Sequence, residues 1–557
     1  MTDTITFSEK KQHASALRAA ANLPAIQTWH GPLESIAFDE EGVRETLLCL
    51  DDPVYVVRLG DQIGVTRAGA VGAAAVDSGT NESAEILTVL SPLPLERLGD
   101  PGFSEWYGTR YAYYAGAMAS AIASVPMLVA LGKAGFLGSF GAAGLPPARL
   151  EASLQQLKAE LPNGPYACNL IHAPYEEALE RRAVELYLQH GVTAVETSAY
   201  LDLTPYVVHY RAAGLSLGPS GDIQIKNRVI AKLSRREVAA KFMSPAPANL
   251  LAKLVQEGKI TQLQADLAQK VPVADDITVE GDSGGHTDNR PLVCLMPAML
   301  ALRDELQEKY EYERPVRVGA AGGISTPASA LAAFAMGAAY IVTGTVNQAC
   351  VESGACDHTR GLLSKASMAD VMMAPSADMF EMGVKVQVLK TGTMFAMRAS
   401  KLYELYSKYD SIEDIPAAER EKLEKQVFKR SLDDVWADTV KFFAERDPEQ
   451  ITRAENNPKR KMALVFRWYL GLSSRWSATG EKGRELDFQV WCGPSIGPFN
   501  DWTRGTYLAE PGNRRVADVA MQILTGSAYL ARIQSLRNTG VQVSARISSY
   551  YPRQPLI

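Results

Sequence analysis

No Gly-x-Gly-x-x-Gly run opens a helix after a strand anywhere in this 557-residue chain, so dinucleotide binding by that motif is excluded. Cysteine is scarce: six residues (Cys49, Cys168, Cys294, Cys350, Cys356, Cys492) lie scattered, none at zinc-finger spacing. Reduced thiols are therefore expected, rather than a metal cluster or a disulfide framework. Basic surplus is missing too. With 57 Lys and Arg against 63 Asp and Glu the net charge is −6, which argues against a nucleic-acid backbone as the main ligand. No long uninterrupted apolar run occurs. The most apolar stretch, Tyr111 to Leu150, carries only Lys133 and Arg149, but Gly and Pro break it every few residues. That pattern fits a buried βαβ unit better than a membrane span. The first twenty residues hold no apolar core of signal-peptide length, so a cytoplasmic protein is expected.

What the chain does have is a recurring punctuation. The β-branched run from Ile277 stops at Asp282-Ser-Gly-Gly-His286. A second run ends in Gly319-Ala-Ala-Gly-Gly-Ile324, and a third in Gly344-Thr345. Glycines let a ligand approach backbone N–H groups closely, and histidine exchanges protons near neutral pH. Eight short β runs alternate with helical patterns between about 110 and 345: Ala112–Met118, Phe136–Phe140, Tyr166–Ile171, Ala194–Ser198, Arg228–Leu233, Ile277–Glu280, Val316–Ala320 and Tyr340–Thr343. Eight strands with crossover helices predict an α/β fold, a (β/α)₈ TIM barrel, with its site at the strands' C-terminal ends.

Three units follow from the composition. Residues 1–100 form a small β-containing unit, with a hairpin signal at Gly60-Asp61 and a linker near Ser91-Pro-Leu-Pro-Leu-Glu. Residues 101–400 hold the barrel. Residues 401–557 read as a helical extension, because 26 of the 60 residues from Lys401 to Arg460 are charged, against 22% overall. Aromatic and basic residues follow (Phe466-Arg-Trp-Tyr469, Arg475-Trp476), then a Gly/Pro-rich loop, Cys492 to Phe499.

Several residues carry candidate chemistry. Gly322, Gly323, Gly344 and Thr345 lie where barrels bind phosphate, though glycine also marks plain β-to-α turns. His286 is either a general acid at a strand end or a packed turn histidine. Lys232 either faces an anionic group in the barrel mouth or snorkels outward. Asn169 either bonds a ring N–H or carbonyl, or caps the core. The Arg/Trp stretch either offers a basic face to an acidic partner or packs its aromatics inward.

Taken in order, Ala117-Met118-Ala-Ser, Gly135-Phe-Leu-Gly-Ser-Phe-Gly141, Cys168-Asn169-Leu, Asp282-Ser-Gly-Gly-His286, Ala321-Gly-Gly-Ile324 and Gly344-Thr345 resemble the flavin barrels of the nitronate monooxygenase and FabK-type enoyl reductase group. Nearly the whole chain is similar to the PfaD-type enoyl reductases of bacterial polyunsaturated fatty acid synthases, which are themselves similar to those of polyketide pathways. The resemblance implies non-covalent FMN, with its phosphate at Gly322, Gly323, Gly344 and Thr345. Ala117, Met118, Asn169 and Lys232 would line the isoalloxazine, with the Asp282, Ser283, Gly284, Gly285 turn beside it and His286 as the catalytic histidine. It also implies NADPH (or NADH) as reductant and an acyl carrier protein as partner, docked on a basic face around Arg460 to Arg475. A homodimer is one assembly it leaves open. In FabK-type enzymes Glu-Ala precedes Gly-Gly-His, whereas this chain has Asp282-Ser283. The alternative within the group is a nitronate monooxygenase using FMN and oxygen. Cys350 and Cys356 lack the Gly-rich loop that an IMP-dehydrogenase-like nucleophile would need.

Overall fold

The computed structural model describes residues 16–19, 25–72, 83–174 and 176–557. The N-terminal segment without an apolar core lies largely outside them, as does Tyr175, the first residue of one helical pattern. Eight parallel strands close into a barrel: β1 (Tyr113–Ala115), β2 (Leu137–Phe140), β3 (Ala167–Ile171), β4 (Ala194–Ser198), β5 (Arg228–Leu233), β6 (Asp276–Glu280), β7 (Arg317–Ala321) and β8 (Ile341–Thr343). Closure is made by β8 on β1, where Ile341 pairs with Tyr113 and Thr343 with Ala115. β1 stops short of the expected Met118 for a local reason. The Ala117 N–H leaves the ladder and donates to Glu196 Oε2 at 2.8 Å.

The crossover helices start where the local sequence supplies caps. Ser124 accepts from Met127 N before the helix Val125–Lys133, and Thr326 with Ser329 forms a reciprocal capping box before Pro327–Ala335. Tyr111 to Leu150 therefore folds as β1, a helix, β2 and the start of a further helix, within one βαβ unit. Among the described residues no helix is long and apolar enough to cross a membrane.

The expected hairpin forms from Val54–Leu59 and Gln62–Thr66, with Gly60 at φ +60° in the turn. It belongs to a seven-stranded sheet that draws on both ends of the chain, because Val541–Val543 pairs antiparallel with Leu17–Ala19. The helix Val516–Asn538 binds this sheet to the barrel. Its buried Arg532 donates to the carbonyls of Leu47, Cys49, Leu50, Asp52 and Ser91, which pins the segment expected to be a linker.

Beyond β8 the chain makes a hairpin that the sequence patterns did not reveal. Strands Val371–Pro375 and Lys385–Leu389 pair antiparallel, and Gly285–His286 adds as a third strand. The Gly-Gly-His turn is thus part of a small sheet laid over the barrel mouth.

Candidate active site

A cavity of about 650 Å³ opens at the C-terminal ends of the barrel strands. Gly116, Ala117 and Met118 line it after β1, Gly322 and Gly323 after β7, and Gly344 and Thr345 after β8. The glycines differ in why they are glycine. A Cβ on Gly322 (φ +81°) would lie 2.6 Å from the Gly281 carbonyl carbon, so that residue serves close backbone packing. Cβ atoms on Gly323 and Gly344 would meet nothing within 4 Å. Their open faces form a cradle that side chains would fill.

Lys232 and Glu280 face each other at 2.5 Å on the cavity wall, both largely buried (16% and 12% exposed). Ser283 Oγ donates to the other Glu280 oxygen at 2.9 Å. Lys232 therefore points inward, and its partner is a carboxylate of the protein itself. Asn169 lies outside the cavity lining: its amide nitrogen donates to Glu196 O and Ser198 Oγ across the β3–β4 ladder. Asp282 is likewise turned away. One of its oxygens accepts from Asn289 Nδ2 at 2.9 Å and Gln387 Nε2 at 2.7 Å. The shorter carboxylate serves the small sheet.

His286 faces a second cavity, also about 650 Å³, that shares Lys232 and Glu280 with the first. Tyr200, Leu201, Val238, Met379 and Val384 give it apolar walls, and Arg235 and Lys385 stand at its rim. His286 Nε2 lies 3.2 Å from the Asp378 carboxylate, with the two side chains 28% and 31% exposed. Burial opposes the charged imidazole, but the Asp378 charge outweighs it and holds His286 above its ordinary pKa. Burial also works against the Asp378 carboxylate. The facing His286 overrides it and brings that carboxyl down to about 2.

Gly284 needs to be glycine for a reason other than ligand approach. A Cβ there would lie 2.9 Å from backbone atoms of Cys492 and Gly493. The loop after Trp491 packs directly on the turn, and Trp491 and Ser495 complete the first cavity's wall. Sequence reasoning missed Glu196, Glu280, Asp378, Gln387, Trp491 and Ser495. Glu196 and Glu280 lie in strands the sequence pattern marked, and the Gly/Pro-rich loop from Cys492 holds Ser495, but no signal pointed to Asp378 or Gln387. Of the two readings of the Arg/Trp stretch, inward packing holds for its aromatics and for Arg467. Arg467 is buried against Glu176 and Glu381, Arg460 donates to Gln450, and Phe466 and Tyr469 are core. The stretch packs inward because its apolar side chains share the face that meets the other helices. Cys350 is buried with its thiol on Val346 O, and burial pushes its pKa up, which leaves it a poor nucleophile.

Comparison with known proteins agrees with this architecture. Residues 104–403 match the nitronate monooxygenase family, and residues 29–92 match the N-terminal domain of the fatty acid synthase subunit PfaD. Residues 409–488 match the inserted helical domain of [acyl-carrier-protein] S-malonyltransferase. The enoyl reductase domain of MlnA, from the macrolactin cluster of Bacillus amyloliquefaciens, is 40% identical. It superposes with a TM-score of 0.75, over 80% of this chain and 100% of that one. A polyunsaturated fatty acid synthase subunit of Thraustochytrium sp. is 50% identical over 91% of this chain and 34% of its own length. The polyketide biosynthesis protein PksE of Bacillus subtilis is 45% identical over 80% of this chain and 58% of its own. The chain thus spans only about a third and somewhat over half of these two relatives. It belongs to the nitronate monooxygenase family and, with a PfaD-type N-terminal domain at residues 29–92, to the enoyl reductases of which the MlnA domain is one.

Proposed function

We propose that the protein is an FMN-dependent enoyl-acyl-carrier-protein reductase of polyunsaturated fatty acid or polyketide assembly, working in the cytoplasm with NADPH or NADH. The observation that carries this reading is the adjacency of two cavities across the Lys232–Glu280 wall. One has a glycine cradle suited to a phosphate, and the other presents a histidine among apolar walls. The residues present fit FMN. Gly322, Gly323, Gly344 and Thr345 would hold the phosphate, and Ala117, Met118, Lys232, Ser283 and Gly284 would border the ring. Asn169, Asp282 and Gly285 would support that wall from behind.

When bound, FMN supplies hydride, taken from the nicotinamide and delivered to the β-carbon of a trans-2-enoyl thioester. The protein's own groups do the rest. Leu201, Val238 and Met379 exclude water from the acyl chain. His286, whose charged form Asp378 favours, can offer a proton to the α-carbon and ease charge gathering on the thioester oxygen. The synthase relatives favour an acyl carrier protein as the donor of substrate.

The family match also suggests a second reading, a nitronate monooxygenase with His286 as base. A raised histidine pKa suits an acid better than a base near neutral pH, which favours the reductase. Steady-state assays on the flavin-loaded protein separate the two. Reductase activity on crotonyl-pantetheine with NADPH is expected. Oxygen uptake with propionate-3-nitronate, without enoyl reduction, would replace the reading.

A further inference from the structure

Asp378 lies in the turn that joins Val371–Pro375 to Lys385–Leu389, ninety-two residues from the histidine it faces. Three sets of contacts bring the two together, two of them from the strand Lys385–Leu389. His286 pairs with Val386 through the backbone of the small sheet, which fixes its Cα against the hairpin. Gln387 donates to both Asp282 Oδ1 and Ser283 O at 2.7 Å, locking the turn that precedes His286. The far side of the hairpin turn is held by Arg467, from the helix Pro458–Thr479. That guanidinium donates to Glu381 at 3.3 Å and to Glu176 at 3.0 Å. With Nε2 taken by Asp378, Nδ1 is the ring nitrogen left for the cavity. Among the described residues no hydrogen bond to it is found.

Building on the reductase reading, we infer that Asp378 is a positioning residue. It holds the His286 ring so that Nδ1–H, rather than Nε2–H, is the proton offered to substrate, and the C-terminal extension reaches the chemistry through Arg467. In the step this would serve, bound FMN would supply the hydride for the β-carbon, and the C=C π pair would move onto the α-carbon. The α-carbon takes the Nδ1 proton, the imidazole is left neutral, and solvent at the cavity mouth returns the proton. A carboxylate on the second nitrogen fixes ring orientation and favours the imidazolium, which is the form needed before the transfer.

Other charges also face this pair. Lys232 from β5 opposes protonation of His286, and Glu280 from β6 favours it. Lys385, Arg235 and Asp288 stand at the cavity rim, with Arg235 and Asp288 paired to each other. Arg467 acts on Asp378 from behind. Of these groups only Asp378 touches the ring.

The test is an NMR titration of the flavin-loaded full chain with labelled histidines, the His286 signal being assigned with His286→Gln. The other six histidines serve as internal controls. Wild-type His286 should titrate above the ordinary histidine value. Asp378→Asn, close to isosteric, should lower its midpoint by about one pH unit or more. Asp378→Glu should restore most of that shift. In rapid kinetics the same Asn variant should keep its rate of reduction by NADPH and slow enoyl reduction by at least about tenfold. An unchanged His286 midpoint in folded Asp378→Asn would overturn the inference. A shifted midpoint in a wild-type protein that reduces no enoyl thioester would leave the pairing intact and remove the reductase reading instead.

Discussion

Gly493 N donates to Thr345 Oγ1 across 3.0 Å, although 148 residues separate them. The contact ties the loop after β8, half of the glycine cradle, to a segment deep in the C-terminal extension. Gly493 also sits so close to the Gly-Gly-His turn that a Cβ on it would lie 2.7 Å from Gly284 N. A barrel ending near residue 345 would lack this wall, and with it Trp491 and Ser495. The extension completes the site.

Gly284→Ala tests that packing. The new methyl would press on the Cys492 and Gly493 backbone, which cannot swing aside as a side chain tip can. The expected loss is about 1–3 kcal/mol of stability in urea unfolding, with weaker flavin retention. An unchanged unfolding midpoint would show that the loop yields freely.

Gly344→Ala should behave in the opposite way. Its methyl meets no protein atom and projects into the cradle. The melting temperature should stay near wild type while affinity for FMN falls. Gly322→Ala should instead lose stability, because its methyl meets the Gly281 backbone and φ is +81°. Thermal unfolding paired with fluorescence titration of FMN reads both quantities.

For the Lys232–Glu280 pair, removing one partner should cost more than removing both. Lys232→Met leaves a largely buried carboxylate without its cation, at about 3 kcal/mol. Lys232→Met with Glu280→Leu should recover part of that loss. A double-mutant cycle in urea checks the order, and strict additivity would mean that the pair is screened by water.

The His286–Asp378 interaction also predicts a pH window for stability. Burial opposes charge on His286, but Asp378 prevails and raises its pKa. A raised histidine contributes fully below its unfolded value, about 6.5, and the contribution fades as pH climbs through the folded value. Asp378, held at about 2 against its burial, contributes above roughly pH 4 and loses the contribution as pH falls toward 2. Both describe one interaction. The stability difference between wild type and Asp378→Asn should therefore be largest between about pH 4 and 6.5. A difference that does not vary with pH would contradict the charge pairing.

The barrel was legible in sequence because the strands are short local runs, and all but β3 end at or just before glycine or a small polar residue. β4 and β5 have the bounds the pattern predicts, and the others differ by a few residues at their ends. His286, Ser283, Gly323 and Gly344 were legible for the same reason, since strand-end chemistry is written next to the strand. Asp378, Gln387 and Trp491 were not. Each reaches the site through pairing or packing with residues about a hundred positions or more away, and no local periodicity encodes that. Arg467 shows the converse error. A basic residue amid aromatics suggests a docking face, but only the tertiary fold shows Glu176 and Glu381 waiting for it.

In the proposed reaction this barrel passes hydride from a nicotinamide, by way of FMN, to an enoyl thioester. Anaerobic stopped-flow spectroscopy tests it most directly, with protein reduced by one equivalent of NADPH and then mixed with a trans-2-enoyl thioester of an acyl carrier protein. Rapid return of oxidised flavin absorbance with one saturated product per flavin, slowed in His286→Ala, is the result expected. Flavin that stays reduced until oxygen is admitted would contradict it.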